Sequence, residues 1–181
     1  MTTPMPPQRT ATLADAPAIA ALMRASVLEL FPRFYDERQT ASAAVHVARI
    51  DLQLIEDGTY FVHEADGEIV ACGGWSRRNK MHAGGSEAAD DARPLDPATE
   101  PARVRAMFVR GDWTRRGLGR AILESSRLAA KAEGFTSLTL TATMAGVPLY
   151  RSFGFTEVGR VMVTTPDGVD ILNAVMARGI D

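Results

Sequence analysis

Residues 104–123 read V-R-A-M-F-V-R-G-D-W-T-R-R-G-L-G-R-A-I-L. The apolar run from Val104 to Val109 is rich in strand formers and ends where arginines and glycines begin. From Gly117 to Ala132 the pattern turns helical, with Leu118, Ala121, Ile122, Ser125 and Ala129 on one face and Gly134 as the stop. The two glycines, Gly117 and Gly119, therefore fall where a strand hands over to a helix. The first amides of a helix have no internal partner, and its dipole makes that end positive. Glycine lets a backbone approach a ligand closely. Residues 103–120 hold six arginines and a single acid, Asp112. Arg115, Arg116 and Arg120 surround the glycines, so the segment forms a cradle whose natural guest is a phosphate or pyrophosphate. The alternative is a plain glycine loop before a solvated basic helix start, because short glycine motifs recur by chance.

Two familiar phosphate sites are excluded by spelling. No glycine is followed, four residues on, by Gly-Lys and a hydroxyl residue. A dinucleotide fingerprint needs a third small residue where Ile122 stands, and an initial parallel β-α-β unit that the strand order does not offer. Another pyrophosphate carrier remains.

The rest of the chain frames this segment. Residues 1–7 contain three prolines and read as a loose tail; residues 8–181 read as one domain. Gln8–Ala11 suits a short strand. Asp15 and Pro17 open a helix carrying Ile19, Leu22, Met23, Val27 and Leu30, which Pro32 ends. An alanine-rich helix is predicted from about Glu37 to Leu54. Strands are predicted at 59–65 and 68–76 around the turn Asp66-Gly67, and then at S-L-T-L-T-A. A short helix follows over Val147–Ser152, and a closing hairpin turns at Pro166-Asp167-Gly168. Residues 77–102 are polar and aperiodic, which is long for a connection inside one domain. The predicted fold is α/β (α+β): a mixed, mostly antiparallel sheet with helices on its faces.

Composition narrows the class. Among 181 residues the formal net charge is −2, which disfavours broad electrostatic binding to nucleic acid. The single cysteine, Cys72, cannot form an intrachain disulfide. No apolar run is long enough to span a bilayer, and the first residues lack a signal-peptide core. A soluble cytoplasmic protein without a membrane partner is the expectation. The closing hairpin offers an edge for a homodimer.

Residues 104–123 resemble the acetyl-CoA-binding segment of the GCN5-related N-acetyltransferase superfamily, written [Q/R]-x-x-G-x-[G/A]. The motif falls on Thr114, Arg115, Arg116, Gly117, Leu118 and Gly119, with threonine in place of the usual first residue. Residues 147–155, V-P-L-Y-R-S-F-G-F, are similar to the same superfamily's later helix, with Tyr150 four residues before Gly154 and Phe155 next. The resemblance implies the acyl-CoA N-acyltransferase fold and transfer of an acetyl group from acetyl-CoA, as cosubstrate, to the amine of a small-molecule or peptide acceptor. It implies no metal. Backbone groups of Met107, Phe108 and Val109 would hold the pantetheine arm, with an amide near Val109 on the carbonyl oxygen. The loop from Arg115 to Arg120 would hold the pyrophosphate. Tyr150 would protonate the leaving thiolate; the other reading is a core aromatic. A domain of the same fold that binds acyl-CoA without turnover is the alternative function.

The general base is left open among Glu29, Asp36, Glu37 and Glu100, each of which also reads as a solvated surface acid. His46, His63 and His82 are too scattered for a metal site, and Cys72 reads as inert core. Phe31, Phe34 and Tyr35 read either as packing or as an acceptor-pocket lining. The acids in residues 86–100, Glu87, Asp90 and Asp91 among them, either steer a cationic amine or keep a loop soluble; Arg77, Arg78 and Lys80 would instead favour an acceptor bearing a carboxylate.

Overall fold

The computed structural model describes residues 3–81 and 92–181. Its elements are β1 Gln8–Thr10, α1 Ala16–Leu30, α2 Glu37–His46, α3 Leu52–Glu56, β2 Tyr60–Ala65, β3 Glu68–Ser76, β4 Ala102–Val109, α4 Leu118–Ala132, β5 Ser137–Thr143, α5 Val147–Ser152, β6 Thr156–Thr164 and β7 Asp170–Gly179. The strands form one sheet in the order β1-β2-β3-β4-β5-β7-β6. The β4–β5 contact is parallel and the other pairings are antiparallel. That parallel contact has two pairs, Ala102 with Leu138 and Arg103 with Thr139. Past Arg103 the two strands part, and the opening between them organises everything below.

Helices cover both faces. Ile19, Leu22, Met23 and Val27 of α1 pack with Val62 and Cys72 on one face. On the other, Leu123 and Ala130 of α4 pack with Leu138, Leu140, Phe155 and Met176. The expected face of α4 is rotated: Leu118 and Ile122 are buried, but Ala121, Ser125 and Ala129 are half-buried, and Gly119, Leu123, Ser126 and Ala130 lie deeper. The cause is that α4 meets α5 through Gly119 as well as the sheet, which draws its Leu123 side inward.

The helix expected over residues 37–54 is two helices. The chain leaves α2 at Val47, and Asp51 starts α3 by accepting from the Gln53 amide at 3.1 Å. Alanine propensity alone would continue the first helix, but an Asp that satisfies orphan amides restarts it. The break places Arg49 in the connecting turn. Asp15 does precede α1, yet its carboxylate accepts from the Thr12 amide at 2.7 Å and from both terminal nitrogens of Arg9 rather than from the amides of α1. Within residues 1–7, the carbonyls of Pro6 and Pro7 are tied to β2, so this stretch is not loose at its end. The long connection is paired at its two ends, Asn79 N–H to Arg93 O and Leu95 N–H to Arg77 O. His82, Glu87, Asp90 and Asp91 lie outside the described residues. Among the described residues no helix is long and apolar enough to cross a membrane.

His63 links β2 to the N-terminal stretch. It is 1% exposed, and its Nδ1–H donates to Pro6 O at 2.8 Å while, among the described residues, Nε2 has no partner. Burial holds the ring's pKa below the ordinary 6.5. As pH falls below about 6.5, the unfolded ring gains a proton that the folded ring refuses, so stability falls with pH in that window. Urea-unfolding midpoints across pH 5–8 should therefore rise with pH, and His63→Gln should flatten the rise. An identical slope in the variant would assign the effect to another group.

Candidate active site

The divergence of β4 and β5 opens a cavity of about 710 Å³. Residues 104–109 of β4 form one wall and Thr141 and Thr143 of β5 the other; the loop into α4, α5, Ser26 and Phe31 of the first helical segment, and Arg49 complete it. Alternate backbone groups of β4 past Arg103 turn away from β3 toward this opening, where β5 no longer pairs with them.

A bulge shapes the β4 wall. Phe108 pairs with Cys72 and Arg105 with Gly74, so Gly73 alone faces both Ala106 and Met107. Ala106 has φ 52°, a left-handed conformation that costs a non-glycine residue roughly 1–2 kcal/mol. The Tyr60 hydroxyl secures it by donating to Ala106 O at 2.6 Å. The opposite strand makes room. A Cβ on Gly73 would collide with the Met107 sulfur, and one on Gly74 with the Thr59 carbonyl. Because of the extra residue, Val104, Met107 and Val109 pack toward α4, while Ala106 and Phe108 pack toward α1 and α2. Arg105 reaches Asp51 on that second side, at 3.1 Å. The sequence reading missed this device, although paired glycines inside a strand are its usual signal.

The loop after β4 makes a 3-10 turn over Gly111–Trp113, closed by the Thr114 hydroxyl donating to Gly111 O at 2.8 Å. Arg115 (φ 60°) and Gly117 (φ 86°) are both left-handed. The first helical bond of α4 runs from Ala121 N–H to Gly117 O, so the amides before Ala121 lack helical partners at the cavity edge. Gly117 thus supplies the conformational freedom. Gly119 serves packing instead: a Cβ there would come within 2.7 Å of Leu149 Cδ2. Beside Gly117 the nearest atom to an added Cβ is Met5 Cε at 3.3 Å.

The six arginines do not act together. Arg103 bonds Asn79, Arg105 bonds Asp51, and Arg110 pairs with Asp112 and Glu68. Arg115, Arg116 and Arg120 form no ion pair among the described residues. Arg116 lies over Trp113 at 4.6 Å and stays out of the cavity lining; Arg120 lies over Phe153 at 5.3 Å. Met107, Phe108, Val109, Thr114, Arg115, Gly117, Leu118, Gly119, Arg120 and Tyr150 all line the one cavity.

Tyr150 projects from α5, its ring edge-on to Phe155 at 5.9 Å, and is 8% exposed. Among the described residues its hydroxyl has no hydrogen-bond partner. Burial pushes the phenol well above its ordinary value of 10. None of the four expected carboxylates lines the cavity. Glu29 lies against Gly111, Asp36 accepts from the Gln39 amide of α2, and Glu37 is exposed. Glu100 is pulled down to about 2 by its hydrogen bond from Arg93. The ionisable side chains that do line it are Arg49, Arg105, Arg115, Arg120 and Tyr150. Phe31 is in the wall, Phe34 is exposed, and Tyr35 is a latch, donating to Leu172 O and accepting from the Met144 amide. The Cys72 thiol is fully buried and pushed up to about 12 by that burial, which removes it as a nucleophile. Among the described residues no group of three or more His, Cys, Asp or Glu side chains is placed to hold a metal ion.

No curated protein matches the chain in sequence. Solved structures share its fold. A GCN5-related N-acetyltransferase from Rhodopseudomonas palustris superposes with a TM-score of 0.75 at 18% identity, over 99% of this chain and 98% of that one. The YncA protein of Salmonella typhimurium, a putative acetyltransferase solved with acetyl-CoA, has a TM-score of 0.61 at 20% identity over 99% and 95% of the two chains. The PaiA N-acetyltransferase of Thermoplasma acidophilum, solved with coenzyme A, has a TM-score of 0.65 at 12% identity over 96% and 98%. The family model for the acetyltransferase (GNAT) domain matches residues 56–157, from the end of α3 to the start of β6. With its parted strands, its left-handed turn into α4 and this match over more than half its length, the chain belongs to the GNAT acetyltransferase family.

Proposed function

We propose that the protein transfers the acetyl group of acetyl-CoA to an amine, with Tyr150 as general acid. One observation carries this reading: a protonated phenol that has no hydrogen-bond partner among the described residues faces the same cavity as the open amides of the 114–120 turn. The cavity volume lies in the range of cofactor and small-molecule sites. Amides from Arg115 to Arg120 hold the pyrophosphate, with Arg115 and Arg120 adding charge. Backbone groups of Met107, Phe108 and Val109, released from β5, hold the pantetheine arm as a strand would. An amide near Val109 stabilises the oxyanion.

Transfer forms a carbon–nitrogen bond and breaks the thioester carbon–sulfur bond. Tyr150 gives its proton to the departing sulfur and regains one from solvent, which takes the proton shed by the amine. Burial suits the phenol to this task, because it stays protonated across the working pH range. No carboxylate side chain lines the cavity among the described residues, so the acceptor amine enters in its neutral, nucleophilic form and sheds its proton to solvent. The absence of a carboxylate in the described lining also favours a second reading, a CoA-binding sensor without turnover. Release of free thiol across an amine panel separates the two.

Affinity for acetyl-CoA should fall as salt rises, and acetyl-pantetheine should bind far more weakly, both measured by calorimetry. Replacing Arg115 and Arg120 by alanine together should make the salt dependence shallower. Equal affinity for acetyl-pantetheine would remove the phosphate role from the loop. Tyr150→Phe should lower turnover on the order of 10²–10⁴-fold, with little change in acetyl-CoA affinity; an unchanged rate would return Tyr150 to packing. Tyr60→Phe frees the Ala106 carbonyl and should lower kcat about five- to tenfold with KM for the acceptor preserved, the equivalent of one lost hydrogen bond. A change confined to KM would mean that the bulge serves binding rather than the reaction.

A further inference from the structure

Asn173 of β7 is 5% exposed, yet it lines the cavity. Its side-chain amide meets Ile171 O at 3.0 Å. A carbonyl can only accept, so the atom that meets it is the nitrogen, and Oδ1 is left on the other side. Among the described residues Oδ1 has no hydrogen-bond partner, and the little exposure that Asn173 keeps opens on the cavity. A desolvated amide oxygen is costly to leave without a donor. Thr143 of β5 stands directly across from Asn173 and lines the cavity too. Asn173 shares its face of the sheet with Ile171, which packs with α1 and α2, whereas Tyr150 packs on the other face. The two residues therefore meet the opening from opposite sides. The register sets this oxygen at the reacting end. Arg103 pairs with Thr139, so Thr143 is level with Met107, or with Phe108 once the extra residue of the bulge is counted. The place is also rigid. The pairing of β5 with β7 ends at Thr143 and Asn173. Just beyond, the Tyr35 hydroxyl accepts from the Met144 amide at 2.8 Å and donates to Leu172 O at 2.7 Å, which ties the two strand ends together. Phe31 and Val163 add apolar lining on the same face.

We propose that Asn173 holds the acceptor nitrogen: its Oδ1 accepts one N–H, which directs the nitrogen lone pair at the thioester carbon, and the acceptor is a primary amine. This rests on the acetyltransferase reading above. An amide oxygen accepts hydrogen bonds but is no base near neutral pH, so Asn173 takes no proton. The carbon–nitrogen bond forms and the carbon–sulfur bond breaks. Tyr150 protonates the sulfur, and the proton shed by the amine goes to solvent. As the new bond forms the nitrogen becomes positive, and its N–H becomes a stronger donor. The contact is therefore tighter in the transition state than in the bound substrate, and its effect falls on kcat rather than on KM. A primary amine has two N–H bonds, one to give to Asn173 and one to lose. A secondary amine has one, and must break the contact to complete the reaction.

The test uses the full chain with acetyl-CoA and benzylamine, phenethylamine and isopentylamine, each beside its N-methyl counterpart. Acetyl-CoA binding is first measured alone by calorimetry. The primary amines should be acetylated faster than their N-methyl forms. Asn173→Leu should lower kcat for the primary amines on the order of tenfold, the equivalent of one hydrogen bond, with KM and acetyl-CoA affinity preserved. The same variant should narrow the preference for primary over N-methyl amines, which a change of packing alone would leave as it was. Asn173→Asp keeps an accepting oxygen and should recover part of the rate. If the leucine variant does not fold, Asn173→Ala removes the oxygen in its place. An unchanged kcat would overturn the inference, as would equal losses for primary and N-methyl amines, or an aspartate variant as slow as the leucine one. A loss confined to acetyl-CoA affinity would give Asn173 to the cofactor, and the inference fails. If acetyl-CoA binds but none of these amines is acetylated, the inference fails and the cofactor reading stands. Failure to bind acetyl-CoA would remove both.

Discussion

Two residue pairs hold β4 to β5, and the site depends on there being no more. A third and fourth rung would close the cleft and satisfy the backbone groups that now face it. The separation survives because each strand is secured on its other side. β4 is paired with β3 from Ser76 to Ala71, and β5 is paired with β7 along its whole length. Helices then bridge the opening: α1 donates from Ser26 to the Val109 carbonyl at 2.9 Å, and α4 and α5 meet through Gly119 and Leu149. The gap is therefore held by its surroundings and not by anything inside it.

Three described non-glycine residues adopt left-handed conformations: Asp66 in the turn between β2 and β3, and two at this gap, Ala106 in the wall and Arg115 in the loop. Such residues persist only where neighbours over-determine them. For Ala106 the neighbours are Tyr60 and the glycine pair on β3. For Arg115 they are the Thr114–Gly111 closure before it and Gly117 after it. Shaping a site before a ligand arrives reduces the ordering that binding must supply.

The sequence exposes some of this architecture and hides the rest for identifiable reasons. Alternation and turn residues mark the strands, and Gly117 marks the entry to α4, because those signals are local. The topology follows from the order of elements. Asp51 breaks what its alanine-rich surroundings would continue, since a side-chain cap competes with propensity and only the fold decides the winner. The charge of residues 103–120 misleads when counted along the chain: strand alternation and long-range partners send Arg103, Arg105 and Arg110 elsewhere. Arg49 carries no local signal at all. Its place in the cavity comes from the break between α2 and α3 together with the course of β4, which sequence spacing does not reveal.

Gly73 and Gly74 do not line the cavity, yet the shape of its wall passes through them. A side chain at Gly74 would press on the Thr59 carbonyl and the Tyr60 Cα, and so on the hydroxyl that grips Ala106. A side chain at Gly73 would press on Met107, the residue next to Ala106 in the bulge. The map of substitution tolerance across this protein therefore has a second intolerant centre, one strand removed from the chemistry. Its residues are small, buried and uncharged, and a survey that ranks positions by reactivity or by distance to the ligand would pass over them.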